Sequence, residues 1–81
     1  MPDIRQLQRF VAVAEERNFR RAAAKLNVSQ PPLSDSIKHL EDDIGAPLFI
    51  RSRRQVELTK VGEGFLERAR LILSQLDDAV N

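Results

Sequence analysis

Apolar side chains recur along the first half of the chain at helical spacing. Ile4, Leu7, Phe10, Val11 and Ala14 share one face of a helix of about 13 residues, with Asp3 before it as N-cap. Phe19, Ala22, Ala23 and Leu26 sit at i, i+3, i+4 and i+7 and predict a shorter second helix behind Asn18. Asn27, which tolerates left-handed backbone, ends it. Ser29 opens a third helix. Pro31 and Pro32 suit its start, because the first helical N–H groups have no intrahelical acceptor. Leu33, Ile37, Leu40 and Ile44 form a narrow apolar stripe. Pro31, Asp35, Lys38 and Asp42 point the opposite way, flanked by Ser34 and His39. Gly45 stops this helix and Pro47 prevents its resumption.

Residues 48–51 and 56–58 read as two short strands, joined by Ser52, Arg53, Arg54 and Gln55 into a hairpin with a basic tip. Thr59 then caps a last helix. Its apolar positions, from Val61 to Val80, spread over about 140° of the helical wheel. About 20 residues at 1.5 Å each make roughly 30 Å, more than a small domain can cover, which favours a partner helix. Phe65, Ala69, Ile72, Leu73 and Leu76 are the expected contacts with that partner.

Two short helices, a turn of about three residues and a capped third helix with a polar outer face make a helix-turn-helix, and the hairpin adds a wing. The expected fold is mainly α: a winged helix-turn-helix over residues 1–59, followed by a long dimerisation or linker helix over 60–81. The helix-turn-helix falls at about 19–38 and the wing at about 48–58.

Composition narrows the function. The 81 residues allow one small domain with a modest core. With no cysteine and a single histidine, disulfides, thiol chemistry and Cys/His metal sites are excluded. No apolar run approaches the roughly 18 residues of a membrane span, and the first residues lack a signal-peptide core, so a cytoplasmic location is expected. Tyr and Trp are absent, which leaves few platforms for stacking single-stranded bases. No nucleophile motif or glycine-rich phosphate loop is present, so no enzyme activity and no catalytic residue are expected. The net charge is only +1, but its distribution is uneven. Residues 1–27 and 45–60 each carry +3, whereas 28–44 carry −3 and 61–81 carry −2. Whether the two basic stretches meet depends on the fold.

A helix entering the major groove of duplex DNA presents its first turn to base edges and needs short polar or apolar groups there. Gln30, Pro31, Pro32 and Ser34 fit this requirement. Glutamine can pair with adenine, and proline carbons can touch a thymine methyl. Arg20, Arg21 and Lys25 on the second helix, with Lys38 on the third, can neutralise phosphates. Arg51, Arg53 and Arg54 on the wing can reach phosphate or a narrow minor groove. Arg51 has an alternative, an ion pair with Glu41 or Asp42.

Several runs of residues together resemble the N-terminal domain of LysR-type transcriptional regulators: Leu7 with Phe10 to Glu15; Phe19 with Ala22, Ala23 and Leu26; Val28 to Ser34; Ile37, Leu40, Glu41, Ile44 and Gly45; Leu48, Phe49 and Arg51; and Leu58, Thr59 and Gly62. The resemblance runs without gaps from about residue 4 to residue 65, and its Ser-Gln-Pro-Pro segment is highly specific. It implies a bacterial activator or repressor that binds an imperfect inverted repeat of double-stranded DNA as a dimer or tetramer. It also implies antiparallel pairing of the linker helices, possible contact with RNA polymerase, and a small-molecule inducer held by a C-terminal effector domain absent from this chain. No cofactor is expected within these residues. Carried over by position, base reading falls on Gln30, Pro31, Pro32, Ser34 and Asp35, and the minor-groove arginine is Arg54. Two residues depart from the family pattern. Position 35 is often basic and is Asp35 here; position 20 is commonly Ser or Thr and is Arg20 here. Asp35 can accept a hydrogen bond from cytosine N4, exclude wrong sites by repulsion, or simply pair with Lys38.

Overall fold

In the computed structural model, which describes residues 1–52 and 55–81, the chain folds as α1 (Ile4–Glu16), α2 (Phe19–Leu26), α3 (Gln30–Ile44), β1 (Phe49–Arg51), β2 (Val56–Leu58) and α4 (Lys60–Val80). The helix boundaries follow from local chemistry. Asp3 accepts from the Gln6 N–H at 2.8 Å while the Gln6 side chain accepts from the Asp3 N–H at 3.0 Å, a reciprocal capping box. Asn18 caps α2 by accepting from the Arg21 N–H at 2.8 Å. Arg17 (φ 53°) and Asn27 (φ 59°) close α1 and α2 in left-handed backbone, and Gly45 (φ 85°) closes α3.

Ser29 occupies the N-cap position of α3, but its hydroxyl makes no capping bond. An N-cap side chain normally accepts from the second or third helical N–H, and here those positions are Pro31 and Pro32, which have none. The prolines remove the groups that a cap would satisfy.

The core is built around α1, which packs on α2, α3, β2 and α4. Phe10, Val13, Leu33, Ile37, Leu40 and Leu48 are fully enclosed. The small residues Ala22 and Ala23 let α2 lie close against its neighbours. Ser36, outside the expected apolar stripe of α3, is also buried. The strands pair antiparallel in the register Phe49 with Leu58, Ile50 with Glu57 and Arg51 with Val56. Leu48, expected to open the first strand, lies just before it, because its N–H is donated to the Glu41 carboxylate instead of a strand partner.

The start of α4 is fixed by one residue with no side chain. Thr59 caps the helix by accepting from the Gly62 N–H at 2.9 Å, and its own hydroxyl donates to the Pro47 carbonyl at 2.8 Å. Gly62 is then pressed against the preceding corner: a Cβ there would stand 2.1 Å from the Leu48 carbonyl oxygen. Gly64, one half-turn further, faces open space. Gly62→Ala should therefore lower stability by about 2 kcal/mol, through displacement of α4 from Leu48. Gly64→Ala should be neutral or stabilising by up to about 1 kcal/mol. Thermal unfolding of the two variants checks this, and equal melting temperatures would contradict the close approach.

Candidate nucleic-acid interface

The turn from Asn27 to Ser29 sets the first turn of α3 at the surface. Gln30, Pro31, Pro32 and Asp35 are exposed, and Ser34 is half-buried. Leu33, Ile37 and Leu40 anchor the opposite face in the core, so the polar face is held outward by burial of the other one.

The wing stands beside this turn. Glu41 accepts the N–H groups of Leu48 at 2.7 Å and Phe49 at 3.3 Å, which ties the entry of β1 to the third helix. The Val56 N–H donates to the Arg17 carbonyl at 3.3 Å and ties β2 to the end of α1. Ser52 and Gln55 close the hairpin: the Ser52 N–H and hydroxyl each donate to the Gln55 carbonyl at 3.0 Å. Arg53 and Arg54, expected to contact phosphate or minor groove, lie outside the described residues.

Arg51 does not form the ion pair with Glu41 or Asp42 considered from sequence. Glu41 is turned to the Leu48 and Phe49 backbone, and Arg51 crosses to α3. Its Nη1 donates to Ser34 Oγ at 3.4 Å, and its guanidinium carbon lies 4.6 Å from the centroid of the Phe19 ring. Phe19 in turn meets Phe49 edge-on at 6.3 Å, and Phe49 packs on Phe10 at 5.3 Å.

The two basic stretches do meet. A shallow cleft of about 340 Å³ is lined by Arg17 and Arg20 from the first stretch, Arg51 from the second, and Gln30 and Gln55 beside them. Arg21 is exposed next to it, its Nη2 donating to the Glu16 carbonyl at 3.4 Å. Lys38 is exposed one turn along α3 from Ser34. Lys25, expected among the phosphate contacts, is instead engaged by Glu15 at 3.7 Å and Glu16 at 3.6 Å. Helical periodicity puts Lys25 on the rear of α2, where α1 carries its two glutamates.

Asp35 borders a second open groove, of about 670 Å³, between α3 and the start of α1. Arg5 and Arg9 line it together with Pro32 and His39. Among the described residues no ion pair joins Asp35 to Lys38. Sequence reasoning assigned no role to Arg5, Arg9, Arg17 or Gln55. The i, i+4 spacing of Arg5 and Arg9 was visible, but their placement beside α3 depends on how α1 crosses it. Glu15, Glu57 and Glu63 line another cleft, of about 510 Å³, together with Arg17 and Arg70.

The last helix divides along its length. Ala69 is fully enclosed by its own domain, so it has no surface to offer a partner, and the expected seam loses that member. Phe65 is half-buried against Phe10, with ring centroids 5.1 Å apart, and Leu73 also packs on the core. Beyond them Ile72 (42% exposed), Leu76 (41%) and Val80 (77%) continue an apolar strip into solvent. Among the described residues, no helix is long and apolar enough to cross a membrane.

Comparison with known proteins agrees with this arrangement. Residues 4–63 match the bacterial regulatory helix-turn-helix protein, lysR family. The uncharacterized HTH-type transcriptional regulator YnfL of Escherichia coli (strain K12) is 57% identical over 77 residues, covering 95% of this chain and 26% of that protein. The HTH-type transcriptional regulator BudR of Klebsiella aerogenes is 55% identical over 78 residues, covering 96% of this chain and 54% of that protein. The chain thus spans between a quarter and about half of these relatives' lengths. In the crystal structure of a CbnR_DBD–DNA complex, the protein chain is 46% identical and superposes with a TM-score of 0.94, covering 96% of this chain and 90% of that one. The chain belongs to the LysR family of bacterial helix-turn-helix transcriptional regulators.

Proposed function

We propose that this chain binds double-stranded DNA sequence-specifically through one surface made by the start of α3 and the wing. The observation that carries this reading is the convergence of Arg20, Arg51 and Gln30 on one cleft beside the exposed Pro31, Pro32 and Ser34. In this reading α3 enters the major groove, where Gln30, Pro31, Pro32 and Ser34 meet base edges. Arg20, Arg21, Lys38 and Arg51 lie against phosphates, and phosphate or minor-groove contact is assigned to Arg53 and Arg54 from the sequence. Asp35 reads a cytosine or lowers affinity for wrong sites by repulsion.

The exposed apolar strip of α4 supports a homodimer formed through Ile72, Leu73 and Leu76, with two domains on an inverted repeat and tetramers in the full-length regulator. The cell compartment is the cytoplasm, where the nucleoid lies. RNA polymerase contact and small-molecule induction belong to the full-length protein, the inducer lying in the part of the relatives that this chain does not span.

Electrostatic contact makes binding depend on salt. If each protomer neutralises about four to six phosphates, a dimer should show a log–log slope of affinity against salt of roughly −7 to −11. Fluorescence anisotropy at several salt concentrations measures it, and a slope near zero would contradict DNA binding. Leu76→Asp places a charge in the apolar strip and should cost the dimer a few kcal/mol. Analytical ultracentrifugation should then show monomers, with weaker binding to DNA bearing two half-sites. A variant that still sediments as a dimer would place the interface elsewhere.

A further inference from the structure

We infer that Arg17, at the end of α1, holds a DNA backbone phosphate together with Arg20 and Arg51. The inference rests on the DNA-binding reading above and adds a residue to it that lies on neither α3 nor the wing. Arg17, Arg20 and Arg51 line the cleft of about 340 Å³, and every ionisable residue of that lining is an arginine. Among the described residues none of the three enters an ion pair. Like charges gathered in one cleft repel one another, and an anion placed between them relieves the repulsion. Arg51 is already held in place, its guanidinium carbon 4.6 Å from the centroid of the Phe19 ring. One of its nitrogens is turned to Ser34, and a guanidinium has five N–H donors, so donors remain for a phosphate oxygen.

The backbone at Arg17 gives no reason for an arginine there. The first three helices all end in left-handed backbone, at Arg17 (φ 53°), Asn27 (φ 59°) and Gly45 (φ 85°). Glycine and asparagine take that conformation at little cost, whereas a long side chain is strained in it. The Arg17 N–H donates to the Val13 carbonyl at 2.8 Å and its carbonyl accepts from the Val56 N–H at 3.3 Å. A glycine would make both bonds. Nearby carboxylates are engaged by other cations: Glu15 by Lys25 and Arg70, and Glu16 by Lys25. Arg17 also borders the cleft of Glu57 and Glu63, but among the described residues it pairs with neither. An anion supplied from outside accounts for an arginine at a position where the fold favours a smaller residue.

The test measures binding of the wild type, Arg17→Gly, Arg17→Lys and Arg68→Gln to a duplex selected from a random pool and to a shuffled duplex. Fluorescence anisotropy at several salt concentrations gives affinity and salt slope, and thermal melts of the free proteins give stability. Arg68 lies outside the cleft and controls for net charge. We expect Arg17→Gly to melt no lower than the wild type and up to about 5 °C higher, because glycine relieves the left-handed backbone. It should nonetheless bind both duplexes roughly three- to tenfold more weakly, with the salt slope reduced by about one per protomer. Arg17→Lys should keep most of the slope, and Arg68→Gln should leave it unchanged. If the glycine variant melts lower, Arg17→Asn, which suits the same backbone, carries the binding comparison. Wild-type affinity and slope in Arg17→Gly, or in Arg17→Asn where that variant carries the comparison, would overturn the inference and leave the DNA-binding reading standing. A lower melting temperature in both with unchanged binding would also overturn it and assign Arg17 to Glu57 and Glu63. An equal loss in Arg68→Gln would make the effect one of net charge and overturn it. A slope near zero in the wild type would remove the DNA-binding reading and the inference together.

Discussion

The carboxylate of Glu41 receives the backbone N–H groups of Leu48 and Phe49, and this contact sets where the wing stands relative to the third helix. Hydrogen bonds to a charged acceptor are worth roughly 1.5–3 kcal/mol, more than most single contacts in a domain this small. The same corner carries two further constraints. Thr59 donates to the Pro47 carbonyl, and Gly62 lies against the carbonyl of Leu48. The third helix, the hairpin and the last helix are thus pinned within a few residues of one another. The outward side chains of α3 and the wing can act as one surface because this corner prevents them from moving independently.

The four phenylalanines extend that constraint through the interior. Phe65 of α4 meets Phe10 of α1, Phe10 meets Phe49 of β1, and Phe49 meets Phe19 at the start of α2. Arg51 lies on the last ring and reaches Ser34. Aromatic pairs at such spacings contribute about 0.5–1.5 kcal/mol each beyond their burial, which matters where the core is small. The column links the base of α4 to the edge of the candidate DNA surface, so packing at both ends draws on the same residues.

Much of this was legible in the chain because helices announce themselves locally. The i, i+3, i+4 pattern, the caps Asp3, Asn18 and Thr59, and the stops Asn27 and Gly45 all act within one turn, and the helices form where these signals place them. The two-strand wing was legible from its short apolar runs, although Leu48 proved to belong to the corner and not to the ladder. The candidate DNA surface was legible as residue types at the start of α3. What sequence left hidden was nonlocal. Nothing in the spacing shows that Glu41 bonds backbone, that Lys25 is engaged by two glutamates, that Ala69 is enclosed, or that Arg51 turns to Ser34. Each depends on which elements cross, and a carboxylate or an arginine has the same letter in either role.

The central claim is that the start of α3 and the wing meet DNA together as one unit. The most direct measurement is a ¹H–¹⁵N chemical-shift titration of the protein with a duplex selected from a random pool. The account predicts that amides of residues 30–38 and 51–55 shift most and saturate at the same DNA concentration, while those around Glu15, Glu63 and Arg70 stay in place. Largest shifts around Glu15, Glu63 and Arg70, or wing and helix amides saturating at clearly different concentrations, would contradict it.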